Sequence, residues 1–100
     1  MKIIYAPTAV RQIESQIAYL MDHHAAGAAD RASRRITSFV ADFLVRYPKS
    51  GRFIPEMKIY EMWIPRTKYV LLYRIEDNDL LRILALFHAA QDRSEFESGM

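Results

Sequence analysis

The side chains best able to do chemistry crowd the last third of this 100-residue chain. His88 ends an apolar run and is followed by Gln91, Asp92 and Arg93. An imidazole in that setting can move a proton near neutral pH, or simply hydrogen-bond Asp92 or a backbone carbonyl. Arg66, Lys68, Arg74 and Arg82 fall on neighbouring strand-like runs. Cations on one sheet face can clasp phosphates or carboxylates. Trp63, Tyr69 and Tyr73 add ring surface of the kind that stacks on nucleic acid bases. The plainer reading buries the rings and pairs the arginines with Glu61, Glu76 and Asp79. His23 and His24 are neighbours on a helical run, so they point about 100° apart and chelate poorly. Neither a metal site nor a cofactor is expected, and three scattered glycines cannot build a phosphate-cradling loop.

The charge balance favours an anionic partner. Net charge is only +2, but the stretch from Arg46 to Arg74 holds Arg46, Lys49, Arg52, Lys58, Arg66, Lys68 and Arg74 against Glu56 and Glu61. Such clustering implies one cationic face, and hence a polyanionic or acidic partner. The alternative is an ordinary solvated surface. With no cysteine, disulfide and thiolate chemistry are excluded, which fits a reducing compartment. Met1-Lys2-Ile3-Ile4-Tyr5-Ala6-Pro7 lacks the apolar core of a signal peptide, and no apolar run approaches the roughly 18 residues of a membrane span. A cytoplasmic location is expected.

The elements that position these groups follow from periodicity. Lys2 to Ala6 is β-prone and reads as a first strand, with Thr8 as the expected helix cap. Val10, Ile13, Ile17 and Leu20 then recur at helical spacing to about His23. Gly27 interrupts the pattern and Asp30 is placed to cap or open the next helix. Ala32, Ile36, Phe39, Val40, Phe43 and Leu44 form a second stripe, which Pro48 must end. Tyr47-Pro48-Lys49-Ser50-Gly51 is a turn by composition, and beyond it the period changes to two. Ile59 to Ile64 alternates, with Trp63 opposite Tyr60, Met62 and Ile64. Tyr69 to Ile75 follows, then a turn at Asp77-Asn78, then Leu80 to Ala89. Strict alternation puts Leu81, Ile83, Ala85 and Phe87 on one face of that last strand, and Leu80, Arg82, Leu84 and Leu86 on the other. The expected fold is one α+β domain over residues 1–100, in the order β-α-α-β-β-β, with a helical hairpin packed on an antiparallel meander.

With this order in hand, the chain resembles the RelE/ParE superfamily of type II toxins. Four stretches carry the likeness: the early helix from Ala9 to Tyr19; Tyr47-Pro48-Lys49-Ser50-Gly51-Arg52, similar to the family's Pro-x-x-Gly turn; Lys68-Tyr69-Val70-Leu71-Leu72-Tyr73-Arg74-Ile75, similar to its Tyr-x-x-x-Tyr-Arg strand; and Ile83 to Arg93, similar to the strand and His-x-x-x-Asp tail of ParE-type members. The resemblance implies a toxin neutralised by a cognate antitoxin in a hetero-oligomer. RelE-like members cut messenger RNA on the ribosome, whereas ParE-like members inhibit DNA gyrase by binding.

The residues favour the ParE-like branch. A ribonuclease needs a base for the 2′-hydroxyl, cations for the phosphate and an acid for the leaving oxygen. Here Lys58 is followed by Ile59-Tyr60-Glu61-Met62-Trp63, Ala89-Ala90 stand where basic residues are common, and Phe96 stands where a late tyrosine is expected. The expectation is therefore a gyrase inhibitor without catalytic residues. Its target-binding set is Arg66, Lys68, Arg74, Arg82, His88, Asp92 and Arg93, and its antitoxin-binding set is Val10, Ile13, Ile17, Ile36 and Phe39. The alternatives are a ribosome-dependent nuclease using Lys58, Arg74, Arg82 and His88 on mRNA, or a degenerate, non-toxic binding module.

Overall fold

The change of period at Pro48 divides the chain into a helical half and a sheet half. The structure, a computed structural model, describes residues 1–24, 26–77 and 79–89. Strand β1 (Lys2–Tyr5) leads into α1 (Pro7–His23) and α2 (Ala28–Ser38), which continues as a π-helical segment (Phe39–Leu44). Strands β2 (Arg52–Ile54), β3 (Ile59–Trp63), β4 (Tyr69–Glu76) and β5 (Leu80–His88) follow. They form one five-stranded sheet in the order β1-β5-β4-β3-β2, with β1 parallel to β5 and the other pairs antiparallel. The α+β architecture and the meander are as expected. The short edge strand β2 is an addition: three residues flanked by turn-forming sequence carry too little alternation to be read.

Two local expectations are corrected. Thr8 is not the cap of α1. Ala6 occupies that place and Pro7 takes the first helical turn, where its missing N–H costs nothing and its fixed φ suits the helix. Asp30 is not the cap of α2 but lies in its first turn, paired with Arg34; the cap position is Gly27, at φ 87° in a conformation that favours glycine.

The second stripe widens into π geometry for a visible reason. Ile36, Val40 and Leu44 are all fully buried and lie four residues apart. An α-helix turns every ~3.6 residues, so side chains spaced by four drift around its axis. A wider turn, in which Val45 N–H donates to Val40 C=O at 3.3 Å, takes up that drift and keeps all three on the sheet. They join Ala9, Leu71, Tyr73, Leu81, Ile83 and Leu86 in the main core between helices and sheet. The opposite face has a smaller cluster of Ile59, Leu72, Ala85 and Phe87.

Membership of these clusters exposes a break in strand alternation. Leu72 faces Ala85 and Tyr73 faces Ile83, leaving Leu84 without a partner on β4. This bulge reverses the parity of everything beyond it. Leu86 therefore joins Leu81 and Ile83 under the helices, while Ala85 and Phe87 pack on the far face. The expected uniform faces of the last strand are corrected accordingly. Beyond the end of β1, the Leu86 amide donates at 2.8 Å to Gln12 Oε1 on α1, which supplies the acceptor that a longer first strand would provide.

Two polar devices hold the sheet half. The buried Tyr73 phenol donates to Pro48 C=O at 2.8 Å and accepts from Gly51 N–H at 3.2 Å. A Cβ at Gly51 would lie 2.8 Å from both Glu61 O and Tyr73 Oη, so only glycine lets the loop approach this closely. On the far face, Arg74 and Arg82 stand directly opposite each other, an arrangement that repels. Glu76 resolves it, accepting from Arg82 Nε at 2.6 Å and pairing with Arg74 Nη2 at 3.6 Å. The Arg82 hydrogen bond and the two positive charges hold the Glu76 carboxyl below its ordinary pKa, despite an opposing desolvation effect.

Two outcomes follow from these devices. Tyr73→Phe leaves Pro48 C=O and Gly51 N–H short of a partner and should cost about 1–3 kcal/mol in urea denaturation. An unchanged midpoint would show that the loop is not held this way. Glu76 has a folded pKa below its unfolded value, so its stabilisation is present above the unfolded carboxylate range and is lost as pH falls through the folded pKa. Glu76→Gln should lower stability at neutral pH and flatten the acid limb of a stability–pH curve.

Candidate functional site

Chemistry-bearing side chains gather at a cleft of about 380 Å³ on the helix side, at the end of the sheet where β3 turns into β4. Helical spacing builds one wall. Gln16, Tyr19 and Leu20 come from α1, with His24 just past its end. Arg31 and Arg35, four apart on α2, share a face with the small Ala28 and Ala32, which leave the space open. Arg66, Thr67 and Lys68 form the opposite rim, and Tyr69 and His88 lie at the ends of β4 and β5.

The rim is tightly fixed. Arg66 has φ 62°, a left-handed conformation that non-glycine residues adopt at a cost. Around it, Ile64 N–H donates to Tyr69 C=O at 3.0 Å, while Thr67 Oγ1 donates to Ile64 C=O at 2.7 Å and accepts from Tyr69 N–H at 3.1 Å. Ala89 N–H binds Lys68 C=O at 2.6 Å, which ties the rim to the end of β5. His88 and Tyr69 are cross-strand partners whose rings meet edge to face at 5.9 Å. Burial pushes the Tyr69 phenol pKa up, so the group stays a neutral donor. Tyr19 stacks on His23 at 4.4 Å, and His23 Nδ1 lies 3.0 Å from Tyr19 C=O.

The electrostatics are one-sided. No carboxylate is among the described residues that line the cleft. Arg31, Arg35, Arg66 and Lys68 enter no ion pair among the described residues. Cations elsewhere on the sheet are neutralised: Arg52 by Glu61 at 3.2 Å, and Arg74 and Arg82 by Glu76. The cleft is therefore fit to bind an anion.

The sequence-derived residue sets divide across the molecule. Arg66, Lys68 and His88 meet at the cleft, while Arg74 and Arg82 lie together on the far face. Asp92 and Arg93 lie outside the described residues. His88 and Arg82 are six residues apart on β5, roughly 20 Å along a strand, and the bulge turns them to opposite faces. Lys58, exposed in the turn before β3 with φ 56°, is on neither side of the cleft. The four residues of the nuclease alternative thus do not converge on one point.

Of the apolar set, Val10 is exposed, Ile13 and Ile17 are half-buried, and Phe39 packs partly on the core while stacking on Phe43 at 5.1 Å. Ile36 is fully buried, so it is core and not surface; a stripe shows which residues share a face but not how deeply each sinks. Sequence reasoning singled out neither Arg31 nor Arg35 as a site residue, nor Gln16, Tyr19 and His24. The usable signal was the pairing of Arg31 and Arg35 with the alanines at 28 and 32 on one helical face.

Known proteins agree with this architecture. The fold is similar to the chromosomal ParDE toxin–antitoxin system of P. aeruginosa, with TM-score 0.75 at 15% identity, over 88% of this chain and 95% of that one. It is also similar to the RelBE2 toxin–antitoxin complex of Mycobacterium tuberculosis, with TM-score 0.64 at 22% identity, over 87% and 95%. The isolated E. coli RelE toxin superposes with TM-score 0.50 at 10% identity, over 98% and 94%. At such identities the likeness speaks for the fold alone. A search of curated proteins finds no match. A sequence model for the ParE toxin of type II toxin–antitoxin systems, parDE, matches residues 3–93. The chain belongs to the ParE toxin family.

Proposed function

We propose that this toxin acts by binding rather than by catalysis, that its target is DNA gyrase, and that a cognate antitoxin neutralises it in the cytoplasm. The observation that carries the reading is the split of the basic residues. An acid–base nuclease needs its groups within hydrogen-bond reach of one phosphodiester, and Lys58, Arg74, Arg82 and His88 are spread over both sides of the sheet. What supports a binding role is the cleft, which gathers Arg31, Arg35, Arg66, Lys68 and His88 around one opening. This surface is assigned to the target. The far-face pair Arg74 and Arg82, engaged with Glu76, is assigned to holding the sheet.

The antitoxin is assigned to the exposed apolar positions. On α1 these are Val10 and the half-buried Ile13 and Ile17. At the end of the helical half, Phe39, Phe43 and Tyr47 stack successively at 5.1 Å, with Phe43 and Tyr47 exposed. An antitoxin segment that folds on binding can cover such a discontinuous strip at low affinity per unit area.

Purified toxin should inhibit gyrase supercoiling in vitro and leave ribosome-bound message intact. Arg66→Gln combined with Lys68→Gln should weaken the inhibition at least tenfold, because each lost charge-assisted contact is worth about 1.5–3 kcal/mol. Cleavage of message on the ribosome with supercoiling unaffected would instead establish the nuclease alternative. No growth arrest on expression without antitoxin would point to a degenerate module.

A further inference from the structure

We infer that the helix-side cleft is a phosphate-binding site, taking the phosphoryl group of a nucleotide or of a nucleic acid backbone. The inference rests on the cleft being the target-facing surface, and it adds what chemistry that surface recognises. Arg31, Arg35, Arg66 and Lys68 surround one opening without a carboxylate among its described lining residues. Four like charges held together repel, and folding alone would tend to disperse them or pair them, as it does around Glu76 and Glu61. The rim that carries Arg66 is also strained, with a left-handed non-glycine residue pinned by hydrogen bonds on either side. Charge repulsion and backbone strain at one place are the marks of a surface shaped for a ligand.

The ligand's chemistry follows from charge and shape. A single carboxylate carries one negative charge and two oxygens, too little for this many donors; a single backbone phosphodiester has the same count, so a nucleic acid fits only by bringing two or more adjacent phosphates to the cleft. A phosphate monoester carries about −1.5 to −2 and three acceptor oxygens, and guanidinium forks match that geometry. The cleft, at about 380 Å³, falls in the roughly 300–1,000 Å³ range of small-ligand sites and has room for more than the anion. Exposed Tyr19, stacked on His23 beside His24, gives ring surface on which a base can lie.

The test uses the purified chain without gyrase. Inorganic pyrophosphate, ATP and a short DNA duplex are titrated separately while backbone amide resonances are followed. The expected result is that shifts concentrate at Arg31, Arg35 and the 66–68 rim, and that binding weakens as salt rises. Arg31→Gln combined with Arg66→Gln should reduce affinity at least tenfold with the spectrum otherwise folded. Arg34→Gln, which removes the same charge from the outer side of α2, should leave affinity unchanged. ATP binding without duplex binding assigns the phosphate to a free nucleotide, and duplex binding assigns it to a backbone. The proposal is overturned if none of the three probes moves a cleft resonance, if the double variant binds as the native chain does, or if a polyglutamate peptide binds there as tightly as pyrophosphate. Phosphate binding in a chain that fails to inhibit gyrase would keep the site and remove the gyrase reading.

Discussion

The Tyr73 hydroxyl holds the helical half of the molecule to the sheet half. Its ring lies in the middle of β4, fully buried under the helices, and its oxygen engages both Pro48 and Gly51. The loop that carries the chain from the π-helical segment to the sheet edge is thus fastened to the sheet's centre. Much depends on that position. β2 is only three residues long and pairs with β3 alone, so its alignment has little support of its own. With Gly51 in place, Arg52 reaches Glu61, and the charged far face is completed. A neutral phenol suits the task because it donates and accepts at once, and burial keeps its proton on.

The rest of the sheet is organised by the same need to satisfy buried polar groups. Gln12 reaches across from α1 to take the Leu86 amide, and Glu76 sits between two facing arginines. The first joins segments 74 residues apart and the second ties β4 to β5 across their turn, so each fixes register as well as contributing stability. The cleft is the exception. There Arg31, Arg35, Arg66 and Lys68 enter no ion pair among the described residues, in contrast to the arginines that hold the sheet.

How much of this was legible in the residues depends on range. The helical stripes, the switch to a period of two after Pro48, and the turns by composition are local signals, and the element order follows from them. The Pro-x-x-Gly turn and the Tyr-x-x-x-Tyr-Arg strand were also visible, but as two separate motifs. That Tyr73 binds both ends of the turn is a contact across 22 to 25 residues, which no local pattern encodes. Ile36 shows a different limit. Periodicity placed it on the correct face, yet the burial of that face depends on how α2 docks, so a core residue looked like a docking residue. Arg35 is the converse case, a charge outside the apolar stripe that the docking of α1 on α2 turns toward the cleft.

The bulge at Leu84 decides where the chemistry goes. Had β5 kept strict alternation, His88 would share parity with Arg82, and histidine and arginines would line one face as the sequence pattern suggests. One extra residue reverses that parity, sending His88 to the helix side beside Tyr69 and leaving Arg82 and Arg74 with Glu76. A period-two pattern cannot reveal such a slip, because Leu84 is as apolar as its neighbours and fits either face. The consequence reaches beyond one side chain. A basic set that strict alternation would have kept on one face is divided: Arg74 and Arg82 stay with Glu76, and His88 joins the cleft. The same strand thereby contributes to the rigidity of the sheet at one end and to the lining of the cleft at the other.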